Sequence, residues 1–128
     1  MQLKSLLLFR LFLCLMQCKS LLLRYLQENT KAQIVVIIMI GGNQQPPEVE
    51  NEKRKITPFE FAQIIEQVAR LNSVPVINVF CEAGFGYARV KNRDYQVDQI
   101  HLNKLGGVNM GKFVWSKLKD IPLWESEL

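Results

Sequence analysis

The sequence has few of the residues on which small disulfide-bonded and metal-binding proteins depend. It contains one histidine and three cysteines among 128 residues. An odd number of cysteines argues against a closed disulfide framework. Cys14 and Cys18 could share a helix face, but no second pair of ligands completes a zinc site. We therefore expect Cys14, Cys18 and Cys81 to be buried free thiols.

The excess of basic over acidic residues is also small, and this argues against binding to nucleic acid. The net charge is +4, and the tight basic run at residues 53–55 lies beside Glu50 and Glu52 without interleaved aromatic residues. A nucleic-acid platform combines basic and aromatic side chains. A content of 48% hydrophobic residues excludes disorder throughout, and the length suits one domain.

The first 26 residues form an apolar segment that has several interpretations. It begins MQLKSLLLFRLFLC, and Arg10 interrupts the apolar core. No small-x-small cleavage site follows, and Lys19 and Arg24 break any run long enough to span a bilayer. A helix packed against a sheet is favoured, with a secretory signal, a membrane anchor or a misassigned start as alternatives. Residues 1–26 are thus separated from a domain at 27–128, and the localisation, cytoplasmic or secreted, stays open.

Two short apolar runs, Ile34–Ile40 and Val74–Phe80, predict strands that are covered on both faces. Neither run alternates with polar residues, as is typical of a parallel sheet. A helix is predicted between them, because Thr57 is an N-cap and Glu60 completes a capping box. Its apolar stripe consists of Phe61, Ile64, Ile65, Val68 and Leu71, and Asn72 and Ser73 end it. Together these elements predict a βαβ unit of an α/β fold.

A second amphipathic helix is predicted at Gly106–Lys119. Its apolar stripe consists of Met110, Phe113, Val114 and Leu118. It directly follows the segment DQIHLN, which carries Asp98 and the single histidine, His101. An Asp three residues before a His can reach one ring nitrogen and fix the tautomer, so that the other nitrogen can accept a proton from a serine hydroxyl.

In these residues the sequence resembles the C-terminal part of the SGNH/GDSL hydrolases. That family carries D-G-x-H-x-N before a glycine and the last helix, whereas Gln99 here replaces the glycine and Leu102 stands where proline is frequent. The resemblance implies a three-layer flavodoxin-like α/β fold with a parallel sheet, truncated at the N-terminus. It implies hydrolysis of acyl or acetyl esters of small molecules, carbohydrates or lipids, without metal or cofactor. His101 would be the general base and Asp98 would orient it.

The sequence shows no clear match to the family's nucleophilic serine, and its match to the family's oxyanion motif is partial. None of the five serines follows Gly-Asp. Gly41-Gly42-Asn43 matches the family's G-x-N, with Gln44 in place of Asp, so Asn43 is a candidate oxyanion donor if Ile34–Ile40 is the strand before that motif. In the favoured register Ile34–Ile40 is the next strand, and the oxyanion Asn is absent. We therefore expect the isolated chain to be a poor or inactive esterase that self-associates through an open strand edge, as a truncated or degenerate module would.

Overall fold

The computed structural model describes residues 16–28, 33–39, 46–53, 55–84 and 101–122. Across this part of the chain it contains helix α1 (16–28), strand β1 (Val36–Ile38), helix α2 (Pro58–Leu71), strand β2 (Val76–Asn78), the one-turn helix α3 (Val79–Glu82) and helix α4 (Lys104–Leu118). None of the helices in these ranges is both long enough and apolar enough to cross a membrane.

The two strands are parallel neighbours, as the sequence predicted. Val36 lies opposite Val76 and Ile37 lies opposite Ile77. The Val36 N–H donates a hydrogen bond of 2.9 Å to the Pro75 carbonyl oxygen. Helix α2 connects the strands and packs against both of them. The described residues thus confirm a βαβ unit and an α/β fold.

Helix α2 begins at the predicted capping box. The Glu60 N–H donates to Thr57 Oγ1 at 3.1 Å, and the Thr57 N–H donates to Glu60 Oε2 at 2.8 Å. The helix stops at Asn72, and Ser73 follows with a left-handed φ of 57°. Leu71, the last member of the predicted stripe, is 73% exposed. At about 100° per residue it lies at the outer edge of the apolar stripe, away from the strands.

Helices α2 and α4 pack against opposite faces of the sheet. Ile77 forms a buried cluster with Val79 and with Met110 of α4. The next residue, Asn78, donates from its side chain to Glu66 of α2. Since successive residues of a strand point to opposite faces, each helix covers a different side. Helix α1 joins the α2 side, where it packs through Cys18 and Leu22 against a second cluster of Ile56, Ile64 and Val68. The division of the chain at residue 26 stays a prediction.

The strands are shorter than predicted. β2 ends at Asn78 rather than at Phe80, because α3 begins there: Asn78 Oδ1 accepts a hydrogen bond of 2.9 Å from the Cys81 N–H and caps the turn. Val79 and Phe80 are therefore helical. Of the predicted first strand, Val36–Ile38 is extended and paired, and Ile40 lies outside the described residues.

Coverage of β1 on both faces was also a wrong prediction. Ile77 is 1% exposed, whereas Ile37, its register partner on the neighbouring strand, is 42% exposed. Met39 is 54% exposed. The difference arises because α4 packs against β2. The outer side of β1 therefore presents apolar side chains to solvent, in the part of the chain that the structure describes.

The cysteines are less buried than predicted. Cys18 and Cys81 form no disulfide among the described residues, and Cys81 is exposed while Cys18 is half-buried. Cys81 is exposed because it lies in the single turn of α3, where only Val79 is buried. Cys14 lies outside the described residues.

Candidate functional site

The candidate site begins at His101, which is exposed and precedes α4 by three residues. The next residue, Leu102, is half-buried and packs against the cluster formed by Ile77, Val79 and Met110. This contact anchors the segment on the α4 side of the sheet. His101 is therefore solvent-exposed beside a residue that packs in the core.

Asn103 has a structural role in the same segment. Its Oδ1 accepts a hydrogen bond of 2.8 Å from the Gly106 N–H, and its carbonyl oxygen accepts one of 2.9 Å from the Gly107 N–H. Asn103 is therefore the N-cap of α4, a position that asparagine favours. The helix begins at Lys104, two residues before the predicted start. The predicted stripe is confirmed, since Met110 is buried and the other three members pack against its cluster.

The remaining predicted site residues lie outside the described part of the chain. Asp98 falls within residues 85–100 and Asn43 within residues 40–45. The pairing of Asp98 with His101 and the oxyanion role of Asn43 therefore stay predictions. The structure places His101 three residues before α4.

A polar network that the sequence analysis missed lies at the carboxyl end of β2. Asn78 is 5% exposed, and its side-chain amide donates a hydrogen bond of 2.9 Å to Glu66 Oε2. The other carboxylate oxygen of Glu66 accepts a hydrogen bond of 2.8 Å from Arg70. The bond from Arg70 and the bond from Asn78 lower the pKa of Glu66, against an opposing effect of burial. The signal in the sequence was a single amide within the apolar run VPVINVF.

An apolar cavity of about 670 Å³ lies on the α2 side of the sheet. It is open to solvent and lies between α1, the β1 segment and α2, and its lining comprises Cys18, Leu21, Leu22, Tyr25, Ile34, Val36, Phe61, Ile65, Val68 and Ala69. Leu102 packs on the other side, with Ile77. The cavity and the His101 segment are therefore separated by the sheet, and the cavity is not the acyl pocket of a site at His101.

Comparisons with known proteins support the fold and leave the chemistry open. No family model and no curated protein matches the chain. A crystal structure of a protein from Lactobacillus plantarum, a Northeast Structural Genomics consortium target, is similar, with a TM-score of 0.66 and 24% identity. The similarity covers 82% of this chain and 53% of that protein. The chain thus spans about half the length of this neighbour, and the likeness shows a shared α/β fold.

Among the described residues, no group of three His, Cys, Asp or Glu side chains could hold a metal ion.

Proposed function

We propose that the chain carries the acid–base part of an SGNH/GDSL-type ester hydrolase, on a three-layer flavodoxin-like fold. His101 accepts the proton of a serine hydroxyl as that hydroxyl attacks an acyl or acetyl ester, and then returns it to the leaving alcohol. Asp98 holds the ring in the required tautomer. The substrate class is an ester of a small molecule, carbohydrate or lipid.

The observation that carries the proposal is the exposed position of His101, three residues before α4. The two residues that follow His101 hold the chain on its C-terminal side, since Leu102 packs against the buried cluster and Asn103 caps α4. A general base needs such an arrangement, because its ring must reach the reacting hydroxyl while its backbone stays in place. Helices on both faces of a parallel βαβ unit are compatible with the proposed three layers.

The first test concerns the contact between Asp98 and His101. Because the chain has a single histidine, a histidine-specific reagent reports on His101. Diethyl pyrocarbonate modifies histidine, so the absorbance change at the ring reports on His101 alone. A carboxylate on one ring nitrogen makes the other more nucleophilic. We expect Asp98→Asn to slow the modification several-fold and Asp94→Asn, a matched change four residues away, to leave it unchanged. Equal rates in wild type and Asp98→Asn would contradict the pair.

The second test concerns turnover. The isolated chain is expected to hydrolyse a short activated ester at close to the background rate, because none of its serines has a Gly-Asp context. Members of a triad act as a unit, so His101 without a nucleophile contributes little. Wild type, His101→Ala and a serine-directed covalent probe are compared. If the wild-type chain hydrolyses the ester, His101→Ala does not, and the probe labels one serine, the expectation of an inactive chain is wrong and the labelled serine is the nucleophile.

The cavity on the α2 side favours a second candidate, a non-catalytic module that binds an apolar ligand. A volume of about 670 Å³ lies within the range of small-molecule sites. Binding of a fluorescent fatty acid is the measurement. Leu21→Trp, at the lining, should reduce binding, and Leu71→Trp, an exposed leucine outside the lining, should not. Absence of binding to the wild-type chain would exclude this candidate.

A further inference from the structure

Helix α4 carries a second apolar surface opposite the one that packs in the core. Leu105, Val108 and Trp115 are 55%, 47% and 64% exposed. Exposed large side chains are ordinary when they are scattered. Here they follow one another along a single helix, at spacings of three and seven residues, which place them on one side.

Lysines accompany these side chains. Lys104, Lys112 and Lys119 are exposed, and at about 100° per residue they lie with Leu105, Val108 and Trp115 within about 100° of arc. No other residue from 104 to 119 falls within that arc, and this stretch contains no Asp or Glu. We call these six residues the α4 outer face. It combines apolar bulk, one tryptophan and three positive charges, and none of its own six residues is acidic.

We propose that the α4 outer face docks the protein on an anionic lipid surface. This inference does not depend on ester hydrolysis. Lysines complement the charge of anionic headgroups, and their long stems let the ammonium groups remain at the headgroup level while apolar neighbours go deeper. Tryptophan favours this boundary, because its ring is apolar and its N–H is polar. A helix lying in the interface with such a composition is a known mode of peripheral binding.

A protein partner is the less favoured occupant for a reason of charge. An acidic protein surface would satisfy the lysines through specific pairs at fixed positions. The six residues instead form a continuous mixed strip along the whole helix, about 24 Å long at 1.5 Å per residue. A fluid anionic surface adapts to such a strip without positional matching.

The test measures partition of the full chain into vesicles. The Trp124→Phe background leaves Trp115 as the reporter, since the sequence has two tryptophans. With vesicles containing phosphatidylglycerol we expect binding and a blue shift of Trp115 emission, and with pure phosphatidylcholine weak binding. Replacing Lys104, Lys112 and Lys119 by Gln should lower the partition coefficient about 100-fold, since each lysine contributes about fivefold near an anionic surface.

The control is a second triple variant that removes three lysines from outside α4. Lys19, Lys53 and Lys55 are exposed and lie outside α4, and their replacement by Gln should lower partition far less. Helical content by circular dichroism verifies that both triple variants fold. Equal losses in the two variants, absence of binding to anionic vesicles, or an unshifted Trp115 emission in the bound state would each overturn the proposal. So would a dimer that buries Trp115 while vesicles stay unbound.

Discussion

Removal of the Asn78 side chain tests the polar network at the carboxyl end of β2. Asn78→Ala deletes two hydrogen bonds at once, one to Glu66 Oε2 and one from the Cys81 N–H, both at 2.9 Å. The site is 5% exposed, so water replaces these bonds poorly. The carboxylate of Glu66 would keep its bond to Arg70 and lose its inner partner.

The magnitude follows from the two bonds. A hydrogen bond to a charged group contributes about 2 kcal/mol to the free energy of unfolding. An N-cap side chain contributes about 1 kcal/mol. We therefore expect Asn78→Ala to reduce the free energy of unfolding by about 3 kcal/mol, and to lower Tm on the order of 10 °C. A domain with a total of about 10 kcal/mol would lose a large fraction of its stability.

Urea unfolding followed by circular dichroism measures this change. The control is Asn109→Ala, a half-buried asparagine within α4, where alanine has the higher helix propensity and the change should stay within about 0.5 kcal/mol. A cycle that combines Asn78→Ala with Glu66→Gln isolates their coupling. If Asn78→Ala unfolds at the same urea concentration as wild type, or if the coupling is zero, the network does not stabilise the fold.

Three further predictions follow from the described contacts. Thr57→Ala removes the capping bond to the Glu60 N–H and should cost about 1 kcal/mol of unfolding free energy, measured by urea titration. The pKa of Glu66 is lowered in the folded chain, chiefly by the hydrogen bond from Arg70, so the ionised carboxylate stabilises the fold above the unfolded pKa of 4.5 and this stabilisation is lost as pH falls through the folded pKa. The difference in unfolding free energy between wild type and Glu66→Gln should therefore shrink in acid, and a difference that does not change with pH would contradict this. Ile77→Ala should cost about 3 kcal/mol, whereas Ile37→Ala, its 42% exposed partner in register, should cost about 1 kcal/mol, and equal Tm shifts would contradict the one-sided cover of the sheet.

The sequence predicted those features of the fold that depend on local chemistry. The capping box at Thr57 and the apolar stripe of α2 need only neighbours along the chain, and both were found. Parallel pairing of the two strands followed from the lack of regular polar alternation in their apolar runs. Asn78 shows where this reasoning fails. An amide within VPVINVF ends the strand two residues early, because its side chain caps a turn rather than facing a neighbouring strand.

The coverage of β1 could not be predicted for a different reason. The run IVVIIMI is equally apolar on both faces, so its composition contains no information about which face a helix covers. That depends on where α4 packs, and α4 packs against β2. The candidate site was predictable only at His101 and its neighbours, where a short motif precedes a helix. The pairing with Asp98 depends on a loop conformation that spacing alone does not determine.

Helix α4 shows why a periodic pattern can identify a core face and still miss a surface. Apolar side chains occur on two sides of this helix, so hydrophobicity alone does not choose between them. The buried residues of α4 are Gly106 and Met110, and Met110 packs in the cluster with Ile77 and Val79, so these residues mark the face toward the sheet. Once that face is fixed, Leu105, Val108 and Trp115 must point outward. Their exposure together with three lysines is then a consequence of how α4 packs, and it makes this helix the part of the described chain at which binding to a lipid surface can be tested independently of His101.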